Sequence, residues 1–329
     1  MTAFRDDFLT ASKPGLFELA SVLTPAGGAA DTIAGLSWVL IVGAALVFAV
    51  VMLLLAWAVA RRGNFDNGAD SVTPAWWIAG GGLLFPVVVV TALFFYSGAH
   101  TPAWKQLPPP GALIVGITAH LYWWEVRYRD PATGRLITLA NELHLPVGRP
   151  VWIGLNSADV IHSFWVPALA GKIDMVPGRV NHLLLNARRA GVFRGQCAEF
   201  CGEQHARMAL HVVAEPPEAF SAWLAAQAGP AVETDAPELV RGRQAFLDQR
   251  CNACHTVRGV ADESALGPDL THVGSRLYLA AGTLPNRPGN VAHWVANTQT
   301  IKPGAHMPSS PDLDAATLQA LAAWLEQLK

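Results

Sequence analysis

The chain has 329 residues, with 23 basic and 25 acidic side chains and a formal net charge of −2. This near balance gives no electrostatic reason to expect nucleic acid as a partner. Charged residues make up 15% of the chain, against roughly 25% in an average soluble domain, and the mean hydropathy is +0.29. The composition excludes a disordered chain and argues against a fully soluble one. Four cysteines are too few for a disulfide-stapled scaffold, so each one needs its own explanation.

Two uncharged, apolar runs near the N-terminus predict a pair of transmembrane helices, at about 37–60 and 75–97. Each exceeds the roughly 20 residues that cross a hydrocarbon core of about 30 Å. Two buried core helices are the alternative, but such helices normally keep a polar face. Pro86 lies inside the second run and predicts a kink. Arg61 and Arg62 begin the connecting loop, so the positive-inside rule places that loop in the cytoplasm. The N-terminal arm, residues 1–36, and everything after residue 100 are then expected outside.

The chain beyond the helices divides into a β-rich part and a helical part. Short segments with Gly and Pro turns predict an antiparallel sandwich or barrel within residues 101–228. Its strands are expected around 113–117, 137–139, 151–153, 182–185 and 211–213, and a helix at 218–228. A loose linker at 229–237 follows. Residues 238–329 begin and end with helix-periodic segments, at 238–250 and 314–328.

Two cysteines lie in a short polar segment directly after a predicted strand. Cys197 and Cys201 are followed by His205 and Met208, so two thiols, an imidazole and a thioether fall close together. Soft sulfur ligands with imidazole select copper, zinc or iron clusters. A disulfide between the cysteines, a tetrahedral zinc site completed by another histidine and two inert core thiols are the alternatives. Met208 favours copper, because a thioether is the weak axial ligand of mononuclear copper sites.

An upstream histidine on an earlier strand completes a mononuclear copper site, and His162 is the candidate here. The second cysteine departs from that pattern, because two sulfurs can bridge two copper ions that are each capped by one histidine. The His162 segment, residues 174–179, residues 197–208 and the two preceding helices resemble subunit II of the haem–copper respiratory oxidases. The binuclear copper centre of that family is called CuA. The resemblance covers about 15–228 and implies a cupredoxin-like sandwich.

The resemblance also implies which residues bind metal. The CuA ligands would be His162, Cys197, Glu199 through its backbone carbonyl, Cys201, His205 and Met208. The Glu199 carboxylate would help to hold a magnesium ion at the interface with subunit I, although the residues alone favour a solvated loop acid.

Two positions depart from the family pattern. Tyr122 stands where the family usually has the tryptophan through which electrons arrive, so Tyr122, Trp123 and Trp124 are the candidates for electron input. The glutamate that many members carry near the start of the second helix is not found within 74–100. Asp159 is interpreted either as an acidic docking residue for cytochrome c or as an exposed loop acid. The histidines other than His162, His205 and His255 are expected to be surface or structural residues.

The other two cysteines form Cys251-Asn252-Ala253-Cys254-His255, the covalent attachment signature of c-type haem. A redox-active CxxC followed by a chance histidine is the alternative. Residues 267–270 and Met307-Pro308 resemble class I cytochromes c in content and order. The resemblance implies thioether bonds to Cys251 and Cys254, and His255 and Met307 as axial iron ligands, with His306 as the rival to Met307. A haem-c domain fused behind subunit II is the arrangement of the caa-type oxidases.

Together these resemblances imply a multidomain membrane protein with a two-helix hairpin, an all-β cupredoxin-like sandwich and an all-α cytochrome c domain. The covalent haem c would accept electrons from cytochrome c or a similar donor. The electrons would pass through CuA to a haem in subunit I, where O2 is reduced to water with proton pumping. Subunit III would be a further partner. The alternatives are the CuA subunit of a nitric oxide reductase and a stand-alone membrane-tethered electron shuttle. The expected location is a bacterial inner membrane, with the N-terminus and both metal domains on the periplasmic side.

Overall fold

The computed structural model describes residues 21–61, 74–100, 107–232, 235–261, 264 and 266–329. The chain forms two compact units, one of residues 31–105 and one of residues 1–30 together with 106–329. The first 20 residues of the predicted N-terminal arm and the loop after Arg61 lie outside the described residues. The first unit carries the apolar helices, and the second carries the β-rich and helical domains.

Two helices are long and apolar enough to cross a membrane, and none of their most apolar stretch is buried. The first, α1, spans Gly28–Arg61 and begins earlier than the predicted residue 37. Ala29, Ala30 and Ala34 in this segment favour a helix, and Asp31 in the first turn favours the helix N-terminus. The prediction relied on the absence of charge and therefore stopped short of this aspartate.

The second apolar helix changes its hydrogen-bond register just before the proline. It consists of α2 (Pro74–Trp76), a π-helix (Trp77–Leu84) and α3 (Phe85–His100). The N–H of Phe85 donates to the carbonyl of Gly80, five residues back. This wider turn ends where the Pro86 ring would clash with an α-helical carbonyl. The structure thus shows a π-helical segment directly before Pro86, and the kink itself stays a prediction.

Two five-stranded sheets form the β-domain, residues 107–228. The strands are β1 (Leu113–His120), β2 (Trp123–Arg129), β3 (Leu136–Ala140), β4 (Glu142–Pro146), β5 (Val151–Ser157), β6 (His162–Trp165), β7 (Ile173–Met175), β8 (Asn181–Leu185), β9 (Gly191–Cys197) and β10 (Ala209–Glu215). The sheet orders are β3-β2-β1-β5-β8 and β4-β10-β9-β6-β7. The sandwich is confirmed, but the expectation of antiparallel sheets is wrong in part. β1 pairs with β5, and β4 with β10, in parallel, because strands distant in the chain lie side by side.

Alternating side chains of the strands fill the core between the sheets. Val115, Ile117 and Ala119 on β1 are at most 1% exposed, and Trp124 and Tyr128 on β2 are fully buried. The alternation follows from the two-residue period of a strand with one buried face. α4 (Pro217–Ala228) closes one side of the sandwich and buries part of its apolar face there.

Three helices build the helical domain, residues 235–329. They are α5 (Pro237–Asp248), α6 (Asn290–Ile301) and α7 (Ala315–Gln327), with a two-stranded ribbon of β11 (Tyr278–Leu279) and β12 (Leu284–Pro285). α7 packs on α5, as its amphipathic pattern predicts, and Phe246 contacts Trp324 with ring centroids 5.2 Å apart. At this crossing a Cβ on Gly242 would lie 2.1 Å from the carbonyl oxygen of Ala320. Only glycine permits so close a backbone approach.

The β-domain and the helical domain meet at a surface that we term the domain junction, formed by Glu142, Ala209 and His211 on one side and Leu277, Tyr278 and Ala281 on the other. The His211 ring stacks on Tyr278 at 4.1 Å with a 5° interplanar angle. The amide of Ala209 donates to the carbonyl of Ala281 at 3.0 Å, and the Leu277 amide donates to the Glu142 carboxylate.

The segment predicted as a loose linker also packs on the helical domain. The amide of Ala231 donates to the carbonyl of Arg258 at 3.0 Å, and Ala231 is 7% exposed. Pro237, the last residue of the predicted linker, already belongs to α5.

Acid is expected to loosen the domain junction through His211. Burial lowers the pKa of His211 to about 4, with Glu142 opposing and Arg194 adding to the shift. The unfolded chain therefore binds more protons between the ordinary pKa of about 6.5 and pH 4, and stability is lost as the pH falls through that window. Hydrogen–deuterium exchange of residues 209–215, corrected for the intrinsic rate, should be faster at pH 5 than at pH 7. His211→Phe should abolish this dependence, whereas His182→Phe, which alters a ring stacked on Trp152, should retain it.

Candidate metal centres

The first candidate centre lies in the loop that joins β9 to β10, residues 197–208, here termed the copper loop. Cys197 ends β9, and a short 3-10 helix, His205–Arg207, returns the chain to β10. The Cys197 amide donates to the Met208 carbonyl at 2.9 Å and so closes the loop at its base. The Sγ atoms of Cys197 and Cys201 are 3.8 Å apart.

Histidine and methionine donors surround this pair of sulfurs. The Nδ1 atom of His205 lies 3.7 Å from the Sγ of Cys201, and the Sδ of Met208 lies 4.0 Å from the same sulfur. The Nδ1 of His162 lies 3.8 Å from the Sγ of Cys197. The backbone oxygen of Glu199 is 3.1 Å from the Cys197 sulfur, while the Glu199 side chain is exposed. All six predicted ligands are therefore brought together.

Strand pairing places His162 beside the loop. β6 pairs with β9 so that Phe164 faces Cys197, and His162, at the start of β6, is fully buried. Its Nε2 atom lies 2.8 Å from the Oδ1 of Asp159. Asp159 also accepts the amide of Leu121 at 2.8 Å and that of Val160 at 2.7 Å. The Asp159 carboxylate is thus hydrogen-bonded through both oxygens and orients the imidazole of His162.

The contact between the two thiols shifts their pKa values in opposite directions. A hydrogen bond from Cys201 lowers the pKa of Cys197 far below its ordinary value, despite burial, and the same contact raises the pKa of Cys201. Burial alone would lower the pKa of His162, but its contacts with Cys197 and Asp159 raise it. The contact therefore favours the thiolate of Cys197, the form that binds metal.

These donors fit metal ions that bridge the two sulfurs. Bond lengths of about 2.3 Å to sulfur and about 2.0 Å to nitrogen place ligand atoms roughly 3.5–3.8 Å apart. The ligand atoms of His162, Cys197 and Cys201 lie within 4.8 Å of one another. Both cysteines are free, so they do not form the alternative disulfide. A single tetrahedral zinc ion would leave two of the six donors unused, which favours two ions.

A second candidate centre is a cavity of about 490 Å³ lined by Cys251, Cys254 and His255. The Nδ1 of His255 lies 2.8 Å from the carbonyl oxygen of Pro268, which leaves Nε2 available to a ligand. A Cβ on Gly267 would lie 2.9 Å from the Cε1 of His255. Both thiols are free. A mostly apolar cavity with two thiols and one fixed imidazole fits a covalently attached haem.

Met307 and His306, the two candidates for the second ligand of the haem iron, both line this cavity. Met307 packs against the apolar core of the helical domain, and Gln299 donates to its backbone oxygen at 2.7 Å. His306 is exposed. The burial favours Met307, whose thioether lies among the apolar side chains around the cavity.

The aromatic candidates for electron input separate into two groups. Tyr122 and Trp123 line the cavity, and the Tyr122 hydroxyl accepts the amide of Glu203, in the copper loop, at 3.1 Å. Trp124 is buried in the sandwich beside Phe164 and His162. Tyr122 thus both contacts the copper loop and lines the cavity.

Comparisons with known proteins agree with both centres. The family described as cytochrome c oxidase subunit II, periplasmic domain, matches residues 115–215, and the family described as cytochrome c matches residues 239–329. Cytochrome c oxidase subunit 2 of Alkalihalophilus pseudofirmus is 33% identical over 294 residues, covering 86% of this chain and 82% of the relative. The chain belongs to the cytochrome c oxidase subunit 2 family.

Two further relatives are similar to parts of this chain. Cytochrome c oxidase subunit 2 of Bacillus subtilis is 30% identical over 259 residues, which cover 75% of this chain and 71% of the relative. The periplasmic domain of subunit II (CoxB) of Bradyrhizobium japonicum is 30% identical, with a TM-score of 0.34, and the match covers 37% of this chain and 97% of that domain.

This family membership confirms the predicted family and fold class. It also confirms that the chain is a subunit of an oxidoreductase complex. As a subunit 2 with a fused cytochrome c domain, the chain is a membrane-anchored protein whose domains imply copper at the first centre and haem at the second. Sequence reasoning missed Asp159 as a partner of His162 and missed Gln299 behind Met307. The spacing of Asp159, three residues before His162, was the available signal for the first.

Removing the Asp159 carboxylate should weaken copper binding. Asp159→Ala frees the Nε2 of His162, and the loss of such an orienting partner typically costs about 10- to 100-fold in metal affinity. Asp159→Asn keeps an acceptor oxygen and should lose less. Asp174→Ala, an exposed acid on β7, is the control. Copper titration monitored by paramagnetic resonance measures the effect, and an unchanged affinity in Asp159→Ala would contradict the assigned role.

Gly267→Ala should disturb the haem. The added methyl would press on the imidazole of His255 and break its contact with Pro268. We expect an altered reduced absorption spectrum and a lower midpoint potential. Gly116→Ala, where the methyl meets only the Cβ of Arg127 at 3.8 Å, should leave both unchanged.

Proposed function

We propose that this subunit 2 is the electron-input subunit of a haem–copper terminal oxidase, receiving electrons from a cytochrome c or similar small donor and delivering them toward subunit I. The main support for this proposal is the position of Tyr122, which lines the cytochrome-domain cavity and also forms a hydrogen bond with the copper loop. When loaded, a binuclear copper centre and a covalent haem c supply one-electron redox chemistry. O2 reduction and proton pumping would take place in the partner subunits.

The copper loop would hold two copper ions without large rearrangement. Cys197 and Cys201 would supply two sulfur ligands, and the Nδ1 atoms of His162 and His205 each approach a different sulfur. Met208 adds a weak donor beside Cys201. Asp159 fixes His162, and burial of Trp124 and Phe164 beneath that histidine excludes water from this side. A dry, preorganised donor set lowers the reorganisation that accompanies a change of charge.

The helical domain would hold the haem through Cys251, Cys254 and His255, with Met307 as the second axial ligand. Pro268 and Gln299 position these two ligands through hydrogen bonds. His/Met ligation raises the potential of a haem, which suits a group that receives electrons from a soluble donor.

Three further assignments belong to the same proposal. The exposed Glu199 carboxylate would face subunit I and share a magnesium ion, since Mg²⁺ prefers oxygen ligands. Subunit III and membrane lipid would be neighbours of the apolar helices. The protein would reside in a bacterial inner membrane, with the N-terminus and both metal domains on the periplasmic side, because Arg61 begins the loop between the helices.

Metal and haem analysis of the intact oxidase purified in mild detergent tests the proposal. We expect two coppers and one covalent haem c per chain, near-infrared absorption from mixed-valence copper and a many-helix haem-containing partner. One zinc in place of copper would contradict the copper assignment, and a chain that purifies alone would contradict the oxidase role.

Met307→Ala should lower the midpoint potential of the haem c and change its spectrum, because the thioether is lost from the iron. His306→Ala is the matched control and should change neither. A redox titration of the purified oxidase measures both variants. An effect confined to His306→Ala would transfer the axial role to that histidine.

A further inference from the structure

Lys302 is a buried cation at the meeting point of the two metal domains. It follows α6 directly, is 3% exposed and lines the cytochrome-domain cavity. Its Nζ atom donates to the carbonyl oxygens of Tyr122 at 2.9 Å, Arg207 at 3.0 Å and Ala280 at 3.1 Å. An ammonium has three N–H donors, so these three carbonyls satisfy it completely.

The three carbonyls come from both sides of the molecule. Tyr122 belongs to the β-domain, and Arg207 belongs to the copper loop, one residue before Met208. Ala280 belongs to the helical domain and has a left-handed φ of 53°. One ammonium therefore connects the copper loop, the turn that carries Tyr122 and the wall of the cavity.

Neighbouring contacts hold the same two segments together. The Arg207 guanidinium donates to the carbonyl of Ile301, and the Ala209 amide donates to that of Ala281. A Cβ on Gly304 would lie 2.5 Å from the Oε2 of Glu203. The copper loop is thus packed closely against residues 280–304 of the helical domain.

A structural lysine would normally be exposed or paired with a carboxylate, since an unpaired buried charge is costly. Within the described part of the chain, no carboxylate forms an ion pair with Lys302. The three carbonyl dipoles face its ammonium, and burial lowers its pKa to about 7, with Cys201 opposing and Arg207 adding to the shift. Burying this ammonium costs free energy. The need to fix several backbone segments at one point explains why it is buried.

We infer that Lys302 is a positioning residue that locks the cytochrome domain onto the copper loop in the arrangement used for electron transfer between the two centres, which rests on the proposed function. The ammonium fixes the main chain of Tyr122, whose side chain contacts the copper loop. Loss of the ammonium loosens the contact between the haem cavity and the copper loop, while the ligands of both centres keep their places.

Two readouts in the intact oxidase test this role. The amides of Ala209 and Leu277 donate across the domain junction, so their hydrogen–deuterium exchange reports docking directly. Flash photoreduction of the haem c, followed at the copper absorption, reports intramolecular transfer. In Lys302→Met, which keeps the apolar stem, we expect both to change at least tenfold, with faster exchange and slower transfer. Lys172→Met, at an exposed position, is the control and should change neither.

Either an unchanged exchange rate or an unchanged transfer rate in Lys302→Met would overturn the inference. A shifted haem potential with a wild-type transfer rate would also overturn it, since the ammonium would then act on the haem carboxylates. Lys302→Arg keeps the charge, but its planar fork cannot reach three convergent carbonyls, so it should give partial rescue. If neither variant assembles with the other subunits, the salt dependence of electron transfer in the wild-type oxidase is measured instead. A locked junction predicts a transfer rate independent of salt between about 10 mM and about 500 mM, whereas a salt-dependent rate indicates a mobile domain.

Failure of the proposed function has a different signature. If photoreduced haem c in the wild type never reduces the copper, the electron-input role fails. The exchange of the Ala209 and Leu277 amides would still measure whether Lys302 locks the junction.

Discussion

The close approach of two cysteine sulfurs, 3.8 Å apart, is the constraint on which the β-domain's function depends. Backbone hydrogen bonds enforce it before any metal binds. Cys197 donates to the Met208 carbonyl, and Ala198 donates to that of Ser163 on β6, each at 2.9 Å. The loop is therefore anchored to two strands at its base, so that donors from both strands converge. Positions set by strand hydrogen bonds are more rigid than positions on a free loop.

The helical domain uses the same principle with helices in place of strands. Its imidazole is held by a loop carbonyl, and the cysteines that precede it leave α5 through a tight turn in which Arg250 has a φ of 56°. The domain junction then joins two preorganised sites rather than two flexible ones. Its contacts include the backbone hydrogen bond from Ala209 to Ala281, the bond from the Leu277 amide to the Glu142 carboxylate and the stacked rings of His211 and Tyr278. Together with the Lys302 ammonium, these contacts fix orientation as well as proximity.

Most of the candidate ligands are local in the sequence, because five of the six copper-loop donors fall within residues 197–208 and the haem motif spans 251–255. The complete sets, which include the distant His162 and Met307, were predicted only from the resemblance to subunit II and to class I cytochromes c. The hydrogen bond from Asp159 to His162 could in principle have been predicted from their spacing, but it depends on the burial of His162. The role of Lys302 could not be predicted, because Lys302 contacts a residue 180 positions away, Tyr122. No local sequence pattern encodes a contact over that separation. The parallel strand pairs were missed for the same reason, since turns specify only consecutive neighbours.

The crossing of α5 and α7 has a consequence for how the protein is made. Gly242 on α5 fits against the backbone of Ala320 on α7, so the helix that leads into residues 251–255 packs on a segment that is synthesised much later. Cys251 and Cys254 are therefore made before their domain can close, and the domain closes only once α7 is available.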